Sequence, residues 1–356
     1  MTFNIWVGGE QAGPTRESSR DQTLAVMRAA DADVICVQEQ GGNAERYAAG
    51  LGYRVLVQDR STAILARHEI VEASPGTWGA KVRLRSGRQV WVFNVHFPAA
   101  PYQPYQLAGI EYHGGRLIST EADAITEARL ARGENALRCL RDMQPALRSA
   151  LPVFLCGDFN EPSCLDWTEA VVAAGVAVAS GEPAGARGEV GKAGAPAAGG
   201  GGRDAGIKPA FAFEIRPLAV DWPTTRLFHD AGFRDSFRDA HPDPVAVPGY
   251  TWTPRPSEQD VLDRIDLVLY LPGAGAAPAE DSGSIRTRSG LAGSATGADE
   301  KDIAAHATPW TVRVVSSRVV GEGAPPADVV VTPYPSDHRA VVTAFEIGRA
   351  SCRERV

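Results

Sequence analysis

The chain has 356 residues, of which 44% are hydrophobic, so it can bury a substantial core. Its formal charge of -7 argues against the broad basic surface that grips nucleic acid through phosphates. No run of about 18 apolar residues occurs, so no transmembrane helix is expected.

The chain opens at Met1-Thr2-Phe3-Asn4-Ile5-Trp6, already inside what reads as a first core strand with no leader peptide ahead of it. A start further upstream is therefore expected, and localisation, cytoplasmic or secreted, is open. Residues 17–31 read as a helix. Apolar runs at Val34-Ile35-Cys36-Val37, Ala63-Ile64-Leu65-Ala66 and Val90-Trp91-Val92-Phe93-Asn94-Val95 read as strands. A second helical stretch, 121–150, is rich in Ala, Leu, Arg and Glu, with Pro145 near its end. Further strands follow at Val153-Phe154-Leu155-Cys156, Ile265-Asp266-Leu267-Val268-Leu269-Tyr270 and Ala340-Val341-Val342-Thr343-Ala344-Phe345. The alternation of short apolar runs with helices is that of a mixed α and β domain.

Residues 179–206 and 272–307 depart from this pattern, being dominated by Gly, Ala and small or charged residues. Neither can bury enough apolar area to offset its ordering entropy, so both are expected to be mobile surface insertions. The chemical motifs run from Asn4 to His338, so residues 1–346 are expected to form one domain. Residues 347–356, Ile347-Gly348-Arg349-Ala350-Ser351-Cys352-Arg353-Glu354-Arg355-Val356, are the in-frame translation of a common sequencing adapter and are expected to be non-native. The five cysteines, Cys36, Cys139, Cys156, Cys164 and Cys352, show no C-x-x-C pair or zinc spacing and read as buried or incidental thiols.

Polar residues stand out where these strands end. Glu39 follows Val34-Ile35-Cys36-Val37-Gln38, well placed to bind Mg²⁺, which commonly uses only one or two protein carboxylates. Asn4 is a polar interruption of the opening strand. His96 ends the strongest strand, just before Pro98. Gly157-Asp158-Phe159-Asn160-Glu161 puts a carboxylate and a carboxamide past a buried strand, and on extended backbone Asp158 and Asn160 point the same way. Asp266 is buried in an apolar strand, which is costly unless it is paired or liganding. In Ser336-Asp337-His338 a carboxylate adjoins an imidazole whose basicity it can raise. Together these supply what phosphoester hydrolysis needs: a hard-cation site, a group to hold water and donors for the phosphoryl oxygens.

The set Asn4, Gln38-Glu39, Asn94-Val95-His96, Gly157-Asp158-Phe159-Asn160, Arg264-Ile265-Asp266 and Ser336-Asp337-His338 resembles the endonuclease/exonuclease/phosphatase superfamily, with its pancreatic-deoxyribonuclease-like fold. The resemblance covers residues 1–346 apart from the two insertions. It implies an α+β fold, a four-layer α/β/β/α sandwich of two packed mixed sheets with outer helices. It also implies that Glu39 is the principal Mg²⁺ ligand, with Asn4 beside it and Asp337 nearby, Mn²⁺ or Ca²⁺ being alternatives. Asp158 would orient or deprotonate water, Asn160 would bind phosphate, Asp266 would sit near the metal or His96, and Asp337 would orient His338 against the scissile phosphate. The deoxyribonuclease branch pairs its first histidine with a carboxylate in the strand that here reads Ser61-Thr62-Ala63-Ile64-Leu65, which has none.

Tyr102, Tyr105, Tyr112, His113 and Trp252 are candidates for shaping a substrate pocket. The leading expectation is a metal-dependent phosphoesterase on a small organic or lipid diester or monoester, acting as a monomer. A DNA or RNA nuclease is the alternative, less favoured because lysine is confined to Lys81, Lys192, Lys208 and Lys301. A non-catalytic binding module of the same fold is the third reading.

Overall fold

The computed structural model describes residues 1–174, 218–255, 260–272, 310–323 and 327–349. Segment 179–206 and all of 272–307 except Pro272 lie outside the described residues, as do Cys352 and most of the expected adapter tail.

Two mixed sheets face each other. The first, in order β12-β11-β13-β1-β2-β4-β3, contains β1 (Thr2–Asn4), β2 (Val34–Gln38), β3 (Arg54–Val57), β4 (Ala63–Ala66), β11 (Trp310–Gly321), β12 (Val329–Val330) and β13 (Ala340–Arg349). The second, in order β5-β6-β7-β8-β10-β9, contains β5 (Glu69–Ala73), β6 (Gly79–Arg83), β7 (Gln89–His96), β8 (Val153–Asp158), β9 (Arg234–Asp235) and β10 (Asp266–Tyr270). β1 pairs parallel with β2 and β7 with β8, while β8 and β10 run antiparallel.

Side-chain alternation builds the layers. Ile35 and Val37 face outward onto helices Arg16–Ala30 and Ala44–Leu51, through Val26, Met27, Tyr47 and Ala48. Leu155, Leu267 and Phe93 face outward onto helices Glu134–Arg148 and Pro223–Asp230, through Met143, Leu140 and Phe228. Cys36, Ile64, Val92, Cys156, Val268 and Val341 fill the space between the sheets. This is the expected four-layer α/β/β/α sandwich. Cys36, Cys139, Cys156 and Cys164 are free and buried, in line with their reading as buried or incidental thiols.

Each strand expected from its apolar run is present. The helical stretch 121–150 is divided into Glu121–Ala128, a π-helical turn Arg129–Gly133 and Glu134–Arg148, with Pro145 inside the last helix. The β5–β6 hairpin and β11 were not expected. Their alternating polar faces, exemplified by exposed Glu69, Glu72 and Arg313, break up any apolar run.

The inter-sheet row of side chains turns polar at one end. There Thr2 Oγ1 donates to Gln38 Oε1 at 3.2 Å, and Gln38 Nε2 donates to Asn94 Oδ1 at 2.6 Å. Asn94 Nδ2 in turn donates to the carbonyls of Val37 and Ala63, each at 3.0 Å. This satisfied polar seam ties the sheets together directly beneath the site.

Candidate active site

Strand register gathers the site. His96 lies opposite Asp158 in the parallel β7–β8 pair, and Asp266 lies opposite Asp158 in the antiparallel β8–β10 pair. Asn4 ends β1 opposite Gln38, so Glu39 emerges beside it. Ser336 Oγ donates to the Asn4 carbonyl at 2.7 Å and accepts from His338 N at 3.1 Å, which docks the C-terminal motif onto β1.

His338 and Asp266 form the buried heart of the site, with Nδ1 and Oδ2 2.9 Å apart. His338 Nε2 faces Asp158 Oδ2 at 3.8 Å, and His96 Nε2 approaches the same oxygen at 3.5 Å. The ligand-capable atoms of Asp158, Asp266 and His338 lie within 4.8 Å of one another. Burial opposes charge on His338, but the surrounding carboxylates Asp266 and Asp158 outweigh it and raise the imidazole to about 10. Burial also raises the Asp266 carboxyl, against the pull of His338.

The expectation that Asp337 orients His338 is overturned: that partner is Asp266. Asp337 sits at a bend just before His338, and it is Asp266, brought in by β10, that meets the ring's Nδ1. Asp337 turns into the cavity, where burial and then the like charge of Glu39 raise it to about 6, despite His338.

Asp158 and Asn160 do converge, but not along extended backbone as expected. Asn160 has φ 47°, and the turn brings its N to Asp158 Oδ1 at 2.8 Å and its Nδ2 to Asp158 Oδ2 at 3.2 Å. Nδ2 also donates to the Phe97 carbonyl at 3.0 Å, so the Asn160 amide fixes Asp158. Gly157 is required just before this turn, because a Cβ there would lie 2.2 Å from the Val95 carbonyl oxygen.

Asn4 directs Nδ2 to Asp158 Oδ2 at 2.9 Å and to Glu39 Oε1 at 3.2 Å, while its Oδ1 accepts from Trp6 N at 3.1 Å. In this orientation it positions the carboxylates with its N–H groups. Glu39 Oε2 accepts from Val7 N at 2.8 Å.

The partner of His96, sought among carboxylates, is a hydroxyl: Ser61 Oγ lies 2.7 Å from His96 Nδ1. Ser61 carries no charge that would have marked it in the sequence. Arg132 was likewise missed. It is fully buried 4.0 Å from Glu161, donating to Gln103 Oε1 at 2.5 Å and to the Pro101 carbonyl at 3.0 Å, and so anchors the chain that leaves His96. The π-helical turn sets its position.

The groups open into a cavity of about 200 Å³. Its walls include Trp6, Val7, Ala99, Tyr102, Tyr105, Tyr112, Trp252 and Ile265, beside Glu39, His96, Asp158, Asn160, Asp337 and His338. Trp252 stands 4.8 Å from the His338 ring, centroid to centroid. Tyr112 is raised by burial and by the negative charges of Asp158, Glu39 and Asp337. His113 is exposed, packs edge-on against Tyr112 and does not line the cavity.

An uncharacterized protein of Caenorhabditis elegans is 24% identical over 303 residues, 76% of this chain and 77% of its own length. Among solved structures, an endonuclease/exonuclease/phosphatase from Beutenbergia cavernae shares 14% identity at a TM-score of 0.48, covering 98% of this chain and 70% of that one. The human Nocturnin catalytic domain with bound sulfate shares 14% at 0.44, covering 97% and 93%. The 3' phosphatase NExo from Neisseria, bound to a product DNA hairpin, shares 15% at 0.44, covering 97% and 98%. Residues 1–338 match the sequence profile of the Endonuclease/Exonuclease/phosphatase family, and the chain belongs to that family.

Proposed function

We propose that this chain is a divalent-metal-dependent phosphoesterase acting on a small organic or lipid phosphodiester or phosphomonoester. Enzymes of the family are hydrolases of phosphoester bonds and generally depend on divalent metal. The observation that carries the reading is the buried His338–Asp266 pair, 2.9 Å apart, with His338 Nε2 3.8 Å from Asp158 at the floor of a cavity.

The donor set fits a hard cation. Glu39 and Asp337 both line the cavity, and burial and then the like charge of Glu39 raise Asp337, an arrangement that a bound cation relieves. They would hold Mg²⁺, or Mn²⁺ or Ca²⁺ in its place, with Asn4 steadying Glu39. Such an ion, when bound, neutralises charge on the phosphoryl oxygens. Asp158, fixed by Asn160 and Asn4, takes a proton from water as the water oxygen bonds to phosphorus. The ester P–O bond breaks, and the departing oxygen takes a proton from solvent. His338, its Nδ1 engaged by Asp266, turns Nε2 toward the phosphate, with His96 beside it.

A small substrate is supported by the cavity size, about 200 Å³, against ~300–1,000 Å³ for typical ligand pockets. The test is metal-dependent hydrolysis of bis(p-nitrophenyl) phosphate by the wild type and by Asp158→Ala. Turnover lost in the variant and with chelator is expected, and turnover that survives in Asp158→Ala sinks the proposal.

A further inference from the structure

The cavity is lined by two chemically unlike sets of side chains. Glu39, His96, Asp158, Asn160, Asp337 and His338 make its polar floor, and Tyr102, Tyr105 and Trp252, with Ala99 and Ile265, make an aromatic and apolar wall, alongside Trp6, Val7 and Tyr112. The polar tips of that wall are all committed elsewhere. Tyr102 donates its hydroxyl to Asp263 Oδ2 at 2.5 Å, and Trp167 Nε1 holds the other Asp263 oxygen at 2.9 Å. Tyr105 donates to Asp260 Oδ1 at 2.5 Å and accepts from Trp252 Nε1 at 2.9 Å. Asp260 and Asp263 are themselves buried, so two costly carboxylates fix these phenols in place. Tyr102 and Tyr105 are edge to face with centroids 5.0 Å apart. What this wall can offer a ligand is ring carbon in a preset arrangement.

We infer that the wall is a leaving-group subsite and that the substrate class is the phosphate ester of a small, uncharged, ring-bearing alcohol. This rests on the phosphoesterase reading above. A phosphoryl group on the polar floor places its ester substituent against the wall, where an apolar ring is desolvated and a charged or extended polar group finds no partner among these three side chains.

The test separates binding from turnover by using phosphonates, whose P–C bond resists hydrolysis. Dissociation constants of phenylphosphonate and methylphosphonate are measured by calorimetry with Mg²⁺ present, for the wild type, Tyr105→Phe and Ala99→Phe. Phenylphosphonate is expected to bind the wild type roughly 10- to 100-fold more tightly, from the apolar area a ring buries. Ala99→Phe fills the space beside the wall and is expected to abolish that preference while methylphosphonate binding persists. Tyr105→Phe keeps the ring and is expected to keep the preference. Equal affinity for the two phosphonates in the wild type, or a preference untouched by Ala99→Phe, overturns the subsite. Hydrolysis of bis(p-nitrophenyl) phosphate, scored separately, tells that failure apart from failure of the phosphoesterase reading.

Discussion

His338 is oriented by Asp266, 72 residues away in the chain, and not by its neighbour Asp337: Nδ1 and Oδ2 are 2.9 Å apart and both residues are buried. This divides the two carboxylates by task. Asp266 sets the tautomer and charge of the imidazole, and Asp337 faces the cavity beside Glu39.

The division predicts opposite kinetic signatures. Asp266→Asn is expected to lower kcat by about 10²–10⁴-fold, the usual worth of a positioned acid–base group, with the metal concentration for half-maximal activity unchanged. Asp337→Asn is expected to raise that metal concentration. Steady-state kinetics across a Mg²⁺ series decides, and identical behaviour of the two variants contradicts the assignment.

His338 is expected to make the metal-free protein sensitive to alkali. Its folded-state pKa, about 10, lies above the ordinary histidine value of 6.5, so the stability it contributes is complete below pH 6.5 and is lost as pH rises through 10. Thermal unfolding of the metal-free wild type is expected to show a falling midpoint over that window, and His338→Gln a flatter profile. Parallel profiles would remove the raised pKa from the argument.

Metal binding is expected to weaken in acid. Asp337 titrates at about 6 in the folded state, above the usual 3.8, so ionising it costs the metal-free fold stability as pH rises through 6. A cation needs that ionised form, so Mg²⁺ affinity should fall as pH drops below 6 while a proton is released on binding. Calorimetry in buffers of different ionisation enthalpy measures the proton, and Asp337→Asn should reduce its release.

Gly157→Ala is expected to destabilise the fold by about 2–4 kcal/mol, since the new methyl group meets the β7 backbone and nothing nearby can yield. The obstruction is the Val95 carbonyl oxygen, 2.2 Å from the added carbon. Urea denaturation checks it, and a loss below about 0.5 kcal/mol, ordinary for a surface change, would mean that β7 shifts freely.

The sequence by itself determined a mixed α and β domain and the roster of polar residues at its strand ends, and the sandwich followed from the family resemblance those residues carry. Runs such as Val153–Cys156 bury on both faces and need no distant information to be read as strands. Asp266 stood out because burying such a group is costly unless it pairs or binds a ligand, Asp158 because it follows a buried strand and is separated from Asn160 by one residue, and His338 because a carboxylate adjoins it. Only the tertiary structure decided who pairs with whom. Asp266 for His338, Ser61 for His96 and Arg132 beside Glu161 are separated by 72, 35 and 29 positions, and each pairing follows from strand register and helix placement. The left-handed turn at Asn160 and the hydroxyls of Tyr102 and Tyr105, turned onto buried Asp263 and Asp260, belong to the same class. A side chain's direction is set by the packing of the whole sandwich, and residue type and spacing alone carry no record of it.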